Sequence, residues 1–106
     1  MTFEEFSMSV QYPNRGEQFY KYYEHHVALF RLMCQYMNAS SGFEISIQEK
    51  EDGRISYFIT CGGPAADFSM LAARINHNVV PCMINNHIFH AQVTLHSFNM
   101  IEVEFV

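Results

Sequence analysis

Basic residues are scarce in this chain. Arg15, Lys21, Arg31, Lys50, Arg54 and Arg74 are the whole set, against eleven Asp and Glu, for a net charge of −5. Nucleic-acid binding needs Lys and Arg clustered against phosphates, and six scattered cations disfavour it. Cysteine is sparse and odd in number: Cys34, Cys61 and Cys82 lie far apart, with no Cys-x-x-Cys pair. Small secreted disulfide domains have a different pattern, so a reducing cytoplasm is the expected location. No apolar run approaches the length of a membrane-spanning helix. The acidic, alternating stretch Met1–Val10 lacks the layout of a signal peptide. There is also no nucleophile elbow, Walker A loop or dinucleotide glycine fingerprint.

What is present is apolar and aromatic. Of 106 residues 49% are hydrophobic, including ten Phe and six Tyr, which argues for a folded core rather than disorder. A chain of this length can bury that core without disulfides. Without repeats, low-complexity segments or linkers, residues 1–106 read as a single domain.

The densest signal is helical, from Asn14 to Asn38. Glu17, Lys21, Glu24, Ala28, Arg31, Gln35 and Asn38 fall on one narrow stripe, and nearly everything else is Phe, Tyr, Leu, Val, Met, Cys or His. The apolar arc covers roughly 240°, where a helix covering a core from one side needs little more than about 100°. A second covering surface is therefore expected: another helix, a second protomer, a ligand or a partner.

Around this helix the pattern alternates. Phe6, Met8 and Val10 predict a first strand, ended by Pro13, and Asn14 with Glu17 suits a capping box. Phe43, Ile45 and Ile47, then Ile55, Tyr57 and Ile59, predict two strands joined by Glu49-Lys50-Glu51-Asp52-Gly53, a strong hairpin signal. Pro64 suits the first turn of a second helix, whose stripe is Phe68, Leu71, Ala72 and Ile75. Val79–Ile84 reads as an edge strand because of Pro81, and Asn85-Asn86 as a tight turn. Phe89 to Leu95 and Ile101 to Phe105 complete the strands. The order predicts a two-layer α+β fold of ferredoxin-like βαββαβ type: an antiparallel sheet, two helices on one face and an extra C-terminal strand.

The strand positions facing away from the helices are polar and mildly acidic. Such a face can simply meet water; its functional reading is an electronegative surface for a basic partner. The residues carrying that reading are Glu44, His90, His96, Glu102 and Glu104 on strands, with Glu49, Glu51 and Asp52 at the hairpin.

Catalytic and metal chemistry find less support. The six histidines show no His-x-His or His-Glu-x-x-His spacing, so no metal or other cofactor is expected. Cys61 before Gly62-Gly63 reads as a small buried residue at a tight turn, and Cys34 and Cys82 as core. Met33, Met37, Met70, Met83 and Met100 also read as core filler. His26 lies mid-arc among aromatics. Its ordinary reading is a core imidazole bonded to a Tyr hydroxyl; its functional reading is a pocket lined by Tyr22, Tyr23, His26 and Phe30. The expected function is a small cytoplasmic, non-catalytic binding protein that masks a basic partner such as a toxin or nuclease domain, in the manner of an immunity protein or phage-encoded inhibitor. A small dimeric α+β enzyme or ligand binder with the His26 pocket is the alternative, and a purely structural homodimer component is a third reading.

Overall fold

Thr2 and Glu5 start the fold with a reciprocal pair of hydrogen bonds. The Thr2 hydroxyl accepts from the Glu5 N–H at 3.1 Å, and the Glu5 carboxylate accepts from the Thr2 N–H. This capping box launches a helix, α1 (Phe3–Ser9), where alternation predicts a strand. Only Val10–Gln11, β1, is extended. The pattern was too short to separate a period of two from one of 3.6: Phe3 and Phe6 also share a helical face.

The computed structural model describes residues 2–11, 15–37, 43–61 and 68–106. The single long helix predicted over 14–38 is divided at Tyr22 into α2 (Arg15–Lys21) and α3 (Tyr23–Tyr36). Tyr22 leaves helical geometry (φ −113°, ψ 28°) with its ring buried. The proposed cap at Asn14, the stop at Asn38 and the first-turn Pro64 lie outside the described residues.

The hairpin of β2 (Phe43–Glu49) and β3 (Ile55–Cys61) forms as predicted. The Lys50 N–H bonds the Arg54 carbonyl at 2.7 Å, and Gly53 supplies the left-handed residue of the turn at φ +86°. Next come α4 (Phe68–Asn78), β4 (Pro81–Ile84), β5 (His87–Ser97) and β6 (Met100–Phe105). Asn85 and Asn86, both at positive φ, make the two-residue turn between β4 and β5.

The architecture is α+β, with four helices rather than two among the described residues and one mixed sheet in the order β1-β2-β3-β6-β5-β4. The ferredoxin-like order is not observed. In a split βαβ another strand separates the two parallel ones, whereas here β1 and β2 are direct parallel neighbours, connected through α2 and α3. The C-terminal strand is no peripheral extension either: β6 lies between β3 and β5.

Alternation decides what lies beneath the helices. Ile45, Ile47, Ile55, Tyr57, Ile59, Ala91, Val93, Ile101 and Val103 point from the strands into one core. There they meet Leu29, Leu32 and Met33 of α3 and Phe68, Leu71, Ala72 and Ile75 of α4. The extra cover expected for the apolar helix comes partly from α1. Its Phe6 is fully buried, worth ~2–3 kcal/mol relative to exposure, and packs on Phe30 at 5.2 Å between centroids, while Phe3 packs on Tyr23 and Phe30 at 5.6 Å. Cys34, expected in the core, is exposed, and so are Met70 and Met83.

Candidate functional site

The face of the sheet away from the core carries an ionised cluster centred on Glu102. Register places Glu102 of β6 between Phe58 of β3 and Thr94 of β5. Its carboxylate accepts from the Ser56 hydroxyl at 2.7 Å through one oxygen and contacts His96 Nε2 at 2.8 Å through the other. Lys50, delivered by the hairpin turn, stands 3.3 Å away and also bonds Glu104 at 3.2 Å. The Phe58 and His96 rings lie 5.8 Å apart across this carboxylate. These neighbours leave Glu102 only 8% exposed although no helix covers it, and Ser56 is fully buried.

Burial alone would push the Glu102 carboxyl up. Hydrogen bonds from Ser56, His96 and Lys50, together with the Lys50 charge, more than offset that and hold it down at about 2. It is therefore a fixed anion near neutral pH. The order of the bonds also limits the chemistry. The hydroxyl donates to a carboxylate held at about 2, a weak base for activating Ser56 as a nucleophile, and the imidazole stands on the carboxylate's other side.

Of the residues expected to meet a partner, Glu102, Glu104 and His96 are brought together here, but the first two are already paired with cations. Arg54 adds a contact to Glu104 at 3.8 Å and bonds Asp52 at 2.7 Å. Glu49 is paired with Lys21 at 3.0 Å. Glu44, Glu51 and His90 are exposed, and among the described residues no ion pair or side-chain hydrogen bond involves them. The negative field thus shifts from β6 toward Glu44 and the Glu51 turn. Lys50, Ser56 and Phe58 were missed as site residues. Ser56 and Phe58 share a strand face with Glu102 through register, and Lys50 reaches it from the hairpin turn.

The aromatic residues around His26 are distributed over different contacts. His26 is completely buried, with Nδ1 on the Tyr57 hydroxyl and its ring stacked on Phe19 at 5.7 Å. Tyr22 packs edge-on to His25 at 5.6 Å, while Tyr23 and Phe30 face α1. Tyr23 also borders a groove of about 440 Å³ on another side of α3, between that helix and β4. His26 does not line this groove. Among the described residues no group of three His, Cys, Asp or Glu is placed to hold a metal ion, and no helix is long and apolar enough to cross a membrane.

Compared with known proteins, the chain matches no family model, no curated protein and no solved structure.

Proposed function

We propose that this chain is a small non-catalytic protein that binds and masks a basic partner through the uncovered face of its sheet. The role is that of an immunity protein or inhibitor, with a toxin or nuclease domain as the kind of partner. The observation that supports it is the Glu102 cluster, a broad polar surface whose central anion is locked by Ser56, His96 and Lys50. A surface ordered before binding loses less side-chain freedom on docking. Glu44 and Glu51, without an ion pair among the described residues, would draw in a cationic partner, and such steering acts mainly on association rate and is screened by salt. An exposed free thiol at Cys34 fits a reducing cytoplasm.

The test uses the product of the neighbouring gene, co-expressed and purified as a candidate partner. Stopped-flow association should slow by roughly tenfold for the Glu44→Lys, Glu51→Lys double variant, and the difference should vanish at high salt. Glu4→Lys, on α1, should leave the rate unchanged. Equal rates in all three proteins would overturn the docking face.

A further inference from the structure

We infer that a second copy of this chain occupies the groove between α3 and β4, with the two α3 helices antiparallel across a two-fold axis near Val27 and Ala28. The groove floor is apolar, built from Val27 and Leu32 on the helix, Val80 just before β4 and Cys82 on it, and its helical rim carries Glu24 and Arg31. That rim complements itself. Glu24 and Arg31 lie 3.5 residues either side of the Val27–Ala28 midpoint, about 5 Å along the axis in each direction. A two-fold there brings Glu24 of each copy to Arg31 of the other, the relation an isologous interface requires. Arg31 is exposed and, like Arg74, has no ion pair among the described residues, whereas Lys21, Lys50 and Arg54 have carboxylates within the chain; Arg74 instead lies over the Tyr36 ring at 5.7 Å.

The open edge of β4 argues against an added strand as the occupant. The Ala91 N–H bonds the Val80 carbonyl, so Val80, Cys82 and Ile84 turn their backbone groups toward β5, and Pro81 and Met83 turn theirs outward. Pro81 has no N–H, which leaves Met83 as the outward donor on the strand. A side-chain-lined helix suits this groove better than a ladder. The inference also accounts for Tyr23, which lines the groove and is 46% exposed in the single chain.

Sedimentation velocity of the purified chain, from low to high micromolar, tests it independently of any masked partner. The expected result is a reversible dimer that Arg31→Glu weakens about tenfold or more. Combining Arg31→Glu with Glu24→Arg should restore dimerisation, because the swapped charges meet again. Circular dichroism melts check that each variant is folded, since Glu24 also accepts a hydrogen bond from the Asn85 N–H. If the swap variant fails to fold, Val27→Lys decides: a charge at the axis should give a folded monomer. A wild-type monomer throughout would overturn the inference. So would a dimer indifferent to Arg31→Glu or Val27→Lys, or a folded swap variant that stays monomeric.

Discussion

Asn76 holds Val93 at two points. Its side-chain amide donates to the Val93 carbonyl and accepts from the Val93 N–H, each at 2.8 Å. β4 pairs with β5 only as far as His90, with one further bond from Ala91 to Val80. Beyond that point the outer edge of β5 needs other partners, and α4 supplies them through Asn76. A side chain here performs the work of a neighbouring strand and closes a stretch of open sheet edge.

Asn76→Ala should therefore cost about 1–3 kcal/mol, because two part-buried backbone groups lose their partners together. Urea unfolding would measure the loss, and amide exchange at Val93 should accelerate more than exchange at Ile101 in the sheet centre. Unchanged protection at Val93 would show that the edge is closed by something else.

Glu102 makes the acid limb of stability predictable. Its carboxyl is held at about 2 in the folded protein, against an ordinary value of 4.5. A folded value below the unfolded one means stabilisation that is complete above pH 4.5 and fades as pH falls toward 2. A shift of this size corresponds to about 3 kcal/mol. Glu102→Gln should be less stable than the parent at pH 7, and the two should converge as the solution is acidified from pH 4.5. Parallel curves across that window would contradict the buried anion.

Much of the sheet was legible because alternation and turn chemistry agreed. Phe43–Ile47 and Ile55–Ile59 have a period of two, Asp52-Gly53 marks the turn between them, Asn85-Asn86 marks the turn between β4 and β5, and Pro81 identified β4 as an edge. The first helix was not legible, because three alternating apolar residues read as a strand, while the Thr2-x-x-Glu5 box that caps the helix was not among the signals read. Strand order was beyond local pattern altogether: nothing within Ile101–Phe105 says that it inserts between β3 and β5. The outer face was recognised as polar and acidic, but Lys50 and Arg54 neutralise its centre, and that pairing depends on where the hairpin turn folds back. Cys34 shows a similar limit, since an apolar arc around a helix does not say which part of it the rest of the chain reaches.

Tyr57 and His26 form a polar contact inside the aromatic core. Tyr57→Phe keeps the ring packing against Phe105, whose centroid is 6.4 Å away, and removes only the hydroxyl that meets His26 Nδ1. The expected cost is about 1–3 kcal/mol, visible as a lower urea midpoint with an unchanged slope. A midpoint equal to the parent's would mean the contact adds nothing net.

Val79 is the rare case in which a simpler residue should help. It follows α4 in the left-handed region, at φ 47°, and is 56% exposed. A β-branched side chain there costs roughly 1–2 kcal/mol, while Gly or Asn takes the same position readily at a helix C-terminus. Some of that gain is lost to the greater freedom of glycine in the unfolded chain. Val79→Gly should still raise stability by about 0.5–1 kcal/mol, and Val79→Asn should act in the same direction. Thermal melts at equal concentration would show it; a lower Tm for both variants would place the strain elsewhere.

His25 sets a second pH window, above that of Glu102. Burial lowers its pKa from 6.5, opposed in part by the charge of Glu24. Its Nδ1 is buried with no hydrogen-bond partner among the described residues, and the ring edges onto Tyr22 at 5.6 Å and Phe105 at 6.3 Å. The unfolded chain therefore takes up a proton here before the folded one does. Stability from this site is complete above pH 6.5 and declines as pH falls through it, levelling off once the folded imidazole is also charged. His25→Phe, which keeps an aromatic ring in the same place, should flatten the stability profile between pH 7 and pH 5 and leave the Glu102 limb below pH 4.5 intact. A His25→Phe profile that still declines between pH 7 and pH 5 as the parent does would assign that slope to another histidine.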